Sequence, residues 1–271
     1  LRDDVLCPCY GMAEATVFVS GAAFRKAVVT TVDVNRLREN RFVPAESGAD
    51  LVGCGVPRDC DLLIVDPRTG EPLQPGGIGE IWLRGPSVGA SYWGDTLATE
   101  RAFVPGGYLR TGDLGTLHDG ELYVTGRLAE TVTVYGHHLY PQDIERRLRE
   151  HHPELASVGA AFTVPLARPG AEPEEVLVVT HEVTGRPAEE VLRRLADGIK
   201  ETVDREFGVP VGGVALLRRG AVRRTTSGKI QRVAMRGLFL DGELSPLHAD
   251  YEPPVTDALR AWRLSRPGRE R

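Results

Sequence analysis

Between residues 61 and 127, apolar and polar positions alternate in short runs separated by turn residues. The run 61–66 (Asp-Leu-Leu-Ile-Val-Asp) predicts a strand, and Pro67-Arg68-Thr69-Gly70 supplies the turn after it. Residues 79–84 alternate, with Ile81 and Leu83 on one face. A hairpin is expected from 108–117 and 121–125, because His118-Asp119-Gly120 between them carries the Asp-Gly turn signal. After Gly126-Arg127 the pattern changes to strands alternating with helices. A short strand is expected at 131–135. Pro141 suits a first helical position, and Ile144 and Leu148 lie four apart, so a helix is expected to about residue 150. Apolar runs at 158–164, 176–183 and 214–217 read as strands. Leu192, Leu195, Ile199 and Val203 form a helical stripe within 187–207, and 230–238 reads as a short helix. The fold class is therefore α/β. A β-rich part covers 1–128 and an α+β domain covers 129–245; residues 246–271, with Pro253, Pro254 and an Arg-rich end, read as a tail or linker.

Composition narrows the class. A chain of 271 residues suggests about two domains, and 41% hydrophobic with 26% charged residues is the balance of a globular protein. The 31 glycines and 19 prolines fit many turns between short elements. A net charge of −5 argues against a chain that grips nucleic acid through its phosphates. No apolar run approaches the ~18 residues of a membrane span, and no signal segment opens the chain, so a cytoplasmic location is expected. Cys7, Cys9, Cys54 and Cys60 lack paired C-x2-C spacing and read as reduced thiols.

Four short segments could carry chemistry, each with a plainer alternative. Tyr10-Gly11-Met12-Ala13-Glu14 sets a ring able to cover a flat ligand beside a carboxylate able to reach a cation, or simply starts a helix. In Tyr108-Leu109-Arg110-Thr111-Gly112-Asp113, the aspartate could accept two sugar hydroxyls or merely cap a turn. Gly126-Arg127 could support a ribose or phosphate, or be ordinary surface. Thr225-Thr226-Ser227-Gly228-Lys229 is no P-loop, since Arg223 and Ile230 stand where Gly and Ser/Thr are needed. Lys229 is nevertheless one of three lysines among 33 basic residues, a mobile point charge on a hydroxyl-rich turn.

Together, and in this order, these segments resemble the adenylate-forming superfamily, and within it the fatty acyl-AMP ligases. The resemblance rests on residues 10–20, 108–115, 121–127, 140–145, 227–232 and 239–242, and covers about 1–245. It implies ATP-dependent activation of a fatty acid to an acyl-adenylate with release of pyrophosphate. Tyr10 would stack on adenine beside Gly11 and Val124, Asp113 would hold both ribose hydroxyls, Arg127 would support the ribose, and Glu14 would ligate Mg2+. Lys229 would be the catalytic cation between acid and α-phosphate; no acid–base residue is required.

The resemblance also implies acyl transfer to a pantetheine thiol. The small domain would turn about a hinge, which falls on Ala129 where a charged or polar residue is usual, and Gly136 would line the pantetheine tunnel. Residues 21–52 match an insertion that in fatty acyl-AMP ligases disfavours coenzyme A, so the expected acceptor is an acyl carrier protein or a polyketide or peptide synthetase module. The phosphate loop and most of the acyl pocket of the superfamily precede its Tyr-Gly motif, so the chain reads as a C-terminal portion that adenylates poorly by itself. Competing readings are an acyl-CoA ligase, an amino- or aryl-acid adenylation domain, and a non-catalytic module binding carrier protein or adenylate.

Overall fold

A computed structural model describes residues 5–22, 25–134, 137–166 and 174–265. The chain divides into two compact units, Leu1–Ala129 and Glu130–Arg271. In the first, β1 (Cys9–Tyr10), β2 (Ser20–Gly21) and β5 (Val56–Pro57) form a small antiparallel sheet; β3 (Val29–Val32), α1 (Val34–Arg38) and β4 (Ala49–Val52) occupy the 21–52 segment. The main sheet has the order β10-β9-β7-β6, from β6 (Asp61–Val65), β7 (Gly79–Arg84), β9 (Tyr108–His118) and β10 (Glu121–Arg127). Between β7 and β9 come α2 (Thr96–Ala102) and β8 (Phe103–Val104), which pairs with β9.

Periodicity explains these strands. Ile81 and Leu83 of β7 point into a core with Leu122, Ala15 and Val19. The β9–β10 turn has φ of 50° at Asp119 and 78° at Gly120, the left-handed pair that an Asp-Gly hairpin supplies. The 21–52 segment docks on this hairpin: Thr30 Oγ1 lies 2.9 Å from the Tyr123 hydroxyl, and the buried Phe42 ring packs 4.7 Å from Tyr123 and 4.9 Å from His118, centroid to centroid.

The second unit follows from β11 (Val132–Val134) and β12 (His137–Leu139), paired antiparallel, through α3 (Pro141–His151) to β13 (Leu155–Leu166), β14 (Glu174–Val183), α4 (Glu189–Phe207), β15 (Val211–Leu217), α5 (Arg232–Asp241), β16 (His248–Tyr251) and α6 (Pro253–Leu264). Its sheet runs β13-β14-β15-β16, parallel only between β14 and β15, where α4 makes the crossover. The near-continuous apolar runs of β14 and β15 reflect burial on both faces. Leu177, Val179, Val214 and Leu216 pack against Ile144 and Leu148 of α3 and the α4 stripe. Their neighbours Val178, Ala215 and Leu217 pack with Met235 and Phe239 of α5 and Val255 and Leu259 of α6. Helix α5 begins and ends later than the expected 230–238, because it continues until Gly242, whose φ of 73° closes it.

Residues 248–264 correct the expectation of a tail or linker at 246–271. β16 completes the sheet, with His248 to Tyr251 opposite Leu216 to Gly213, and α6 buries Val255 and Leu259. The prolines that read as breakers stand in its first turn, where a missing N–H costs nothing. Among the described residues no helix is long and apolar enough to cross a membrane.

Within the β13–β14 pair, the His181 ring is wholly buried beside Gly159, where a Cβ would approach the ring to 2.1 Å. Its Nδ1–H donates to the Glu182 carbonyl at 2.9 Å, leaving Nε2 without a partner. Burial therefore penalises the imidazolium, and pushes the pKa down to about 4. The folded pKa lies below the unfolded one, so this histidine's contribution is present above pH 6.5 and lost as pH falls toward 4. Denaturant unfolding should show about 2 kcal/mol less stability at pH 5 than at pH 7 from this group, and His181→Gln should flatten the slope.

Candidate functional site

The first unit gathers its polar chemistry around Asp113. Between Arg110, opposite Trp82, and Leu114, opposite Glu80, β9 holds three residues against the single Ile81 of β7. Thr111-Gly112-Asp113 therefore bows out of the ladder, with Gly112 at a φ of 71°. The bow is pinned along its length. Thr111 Oγ1 donates to the Ile81 carbonyl at 2.7 Å, and also accepts from the Asp113 amide at 3.0 Å. The Gly112 amide donates to Glu80 Oε1 at 3.2 Å. On the other side β10 carries its own irregularity between Val124 and Gly126, which brings Arg127 directly opposite Asp113.

Asp113 is 6% exposed, and donors meet both its oxygens. The Tyr10 hydroxyl donates to Oδ2 at 2.7 Å, and Arg127 Nε reaches Oδ1 at 3.1 Å. Burial, with the Asp113 charge second, raises the Tyr10 pKa far above the usual phenol, so Tyr10 stays a donor. Each carboxylate oxygen has a further lone pair, so the group can still accept from a diol. Val124, Tyr10 and Met12 are partly buried and each packs against the apolar cluster of Ala15, Val19, Ile81, Leu83 and Leu122.

Gly11 has a steric role of its own. A Cβ there would lie 1.5 Å from the Val17 carbonyl oxygen, because the chain folds back through Thr16 and Val17, with φ of 54° and 77°, and the Val17 amide donates to the Met12 carbonyl at 2.9 Å. Glu14 lies in the single turn between them and accepts from the Tyr92 hydroxyl at 2.8 Å. It borders an open cavity of about 540 Å³ with Thr16, Ser87, Tyr92 and Phe103. No group of three or more His, Cys, Asp or Glu suited to a metal occurs among the described residues. A lone carboxylate is compatible with Mg2+, which keeps several waters and draws other ligands from phosphate oxygens, and not with a protein-caged metal.

Lys229 belongs to the second unit. Its loop is a tight hairpin: the Thr225 amide donates to the Lys229 carbonyl at 2.8 Å, the Lys229 amide to Thr225 Oγ1 at 3.0 Å, and Gly228 turns at a φ of 86°. The side chain is exposed and makes no ion pair among the described residues. Ala129 ends the first unit. Gly136 lies outside the described residues.

Two further polar residues, Glu80 and Tyr92, are not legible as site residues in the sequence. Glu80 alternates with Ile81 and so should face solvent, yet it is 2% exposed and collects Trp82 Nε1 at 2.9 Å and Arg110 Nε at 3.0 Å besides the Gly112 amide. The available signal was Arg110 within the motif itself, a cation that needed a partner. Tyr92 was invisible because its bond to Glu14 spans 78 residues.

Residues 2–93 match the family described as AMP-binding enzyme. The medium-chain-fatty-acid–[acyl-carrier-protein] ligase JamA of Moorena producens is 39% identical over 266 residues, covering 92% of this chain and 44% of that protein. The 4-hydroxyphenylalkanoate adenylyltransferase of Mycobacterium tuberculosis is 34% identical over 268 residues, covering 92% and 42%. A solved structure from a study of fatty acyl-adenylate ligases from E. coli and L. pneumophila superposes with a TM-score of 0.76 at 30% identity, covering 90% of this chain and 43% of that one. The chain thus spans less than half the length of the relatives it matches.

Removing the buried Glu80 carboxylate strands Arg110 and the Gly112 amide. Glu80→Ala should lower the stability of the first unit by about 3 kcal/mol in denaturant unfolding.

Proposed function

Because the chain belongs to the AMP-binding, adenylate-forming enzymes, alongside fatty acyl-AMP and fatty acid–carrier-protein ligases, we propose that the whole protein activates a fatty acid with ATP and passes the acyl group to a carrier-protein thiol. The observation that carries this reading is the convergence of Tyr10 and Arg127 on the buried Asp113. A carboxylate oriented by a cation and a phenol is suited to a ribose diol, with the Tyr10 ring and Val124 beside it for the adenine and Gly11 keeping the Tyr10 turn tight.

In the first step a carboxylate oxygen of the acid attacks the α-phosphorus; the bond to the β-phosphate oxygen breaks and pyrophosphate leaves with the electron pair. Both reactants are anionic, so the exposed ammonium of Lys229 lowers the barrier by offsetting their repulsion. Glu14 would hold Mg2+, which when bound neutralises phosphate charge. In the second step a pantetheine thiolate attacks the acyl carbonyl carbon and AMP departs. Ala129 would be the hinge between the two steps and Gly136 the opening for the pantetheine arm. The similarity to the Moorena medium-chain-fatty-acid–[acyl-carrier-protein] ligase supports a carrier protein as the acceptor. We place the reaction in the cytoplasm.

The test is pyrophosphate exchange by the whole protein with a fatty-acid panel. Lys229→Ala should fold normally, since its side chain is exposed, and should lose adenylation by about 10²- to 10³-fold. An unchanged rate would favour a non-catalytic binding module. Efficient acylation of coenzyme A in preference to carrier protein would favour the acyl-CoA ligase reading.

A further inference from the structure

The Lys229 hairpin is anchored at both ends of its base. At the entry, the Val222 amide donates to the buried Glu182 carboxylate at 2.9 Å, and the Arg223 amide lies 3.2 Å from Met235 Sδ. Across the base, the Gln231 amide donates to the Arg223 carbonyl at 3.0 Å. At the exit stands Arg232, the first residue of α5 and three positions after the lysine. Its guanidinium forks onto Glu145 of α3, with Nε to Oε1 and Nη2 to Oε2 both at 2.8 Å. Glu145 Oε1 also accepts from the Ala161 amide of β13 at 3.0 Å. The remaining Arg232 nitrogen, Nη1, bonds Glu130, the first residue of this unit, next to Ala129.

This cluster is larger than packing requires. Arg232 is 13% exposed and Glu145 3%, so the bidentate pair alone would neutralise the guanidinium. Glu130 adds a second carboxylate and leaves the group with an excess negative charge. Burial opposes ionisation of Arg232, but the hydrogen bonds and charges of Glu145 and Glu130 outweigh it and raise its pKa. We propose that Glu130 and Arg232 are positioning residues for adenylation, a brace that ties the Lys229 hairpin to the chain at the start of the second unit. The proposal rests on the function proposed above for Lys229. Through the brace, a change of backbone direction at Ala129 is felt at the hairpin base without passing through its exposed tip.

Glu130→Gln tests this in the whole protein, because it leaves Arg232 paired with Glu145 and so should preserve the fold. Amide exchange of Thr225, Gly228, Lys229 and Gln231 should accelerate about tenfold, the loss expected for one charge-assisted bond. Exchange in α4 and β15 should not change. In adenylation, kcat should fall about tenfold or more while KM for ATP stays within about twofold, since the Asp113 site is untouched. Asp250→Asn, which breaks the 2.7 Å ion pair with Lys200 elsewhere in the unit, should alter neither readout. Unchanged hairpin exchange in Glu130→Gln, or acceleration spread over the whole unit, would overturn the brace. Faster hairpin exchange with an unchanged kcat would overturn its positioning role. A wild-type protein that makes no adenylate would instead refute the proposed function, and the exchange result would then decide the brace alone.

Discussion

A carboxylate taken out of water must be met by donors, and the first unit is organised around meeting that demand at Asp113. The bow in β9 lifts the residue from its pairing with β7, the irregularity in β10 sets Arg127 opposite it, and the tight turn at Gly11 follows directly on Tyr10, whose hydroxyl supplies the second donor. Beneath the bow Glu80 repeats the arrangement, a second buried carboxylate with its own donors from Trp82, Arg110 and Gly112. The two layers explain why a glycine and a threonine lie inside an otherwise regular strand: Thr111 bridges backbone groups that the bow leaves unpaired, and Gly112 takes the positive φ.

The basic residues divide by chemistry. Arginine is found where a planar fork can engage a carboxylate, at Arg110 on Glu80, Arg127 on Asp113 and Arg232 on Glu145. Lys229 is held differently: its backbone is tied down and its ammonium is left exposed, as suits a point charge for a mobile anion. These arginines are thus held by carboxylates, whereas the Lys229 ammonium is left to solvent, the disposition that the proposed adenylation requires.

Much of this was legible in the sequence wherever periodicity or turn chemistry decides structure. The Asp119-Gly120 hairpin and the Leu192–Val203 stripe follow from local rules alone. The strand and helix at 248–264 did not, because two adjacent prolines signal a break unless they fall in the first turn of a helix, and only the open edge of β15 shows that they do. Of the candidate residues, Tyr10, Asp113, Arg127 and Lys229 are legible as motif residues. Their geometry is not, since a three-residue bow and a shifted register are properties of strand pairing, and the bonds from Glu80 to Arg110 and Gly112 and from Tyr92 to Glu14 join residues far apart in sequence.

Adenylation as proposed bonds a carboxylate oxygen of the acid to the α-phosphorus. Turnover of a fatty acid labelled with 18O in both carboxylate oxygens, followed by thiol transfer and mass spectrometry of the products, reads that bond directly. AMP carrying one 18O and pyrophosphate carrying none is the predicted result; unlabelled AMP, or label in pyrophosphate, would contradict it.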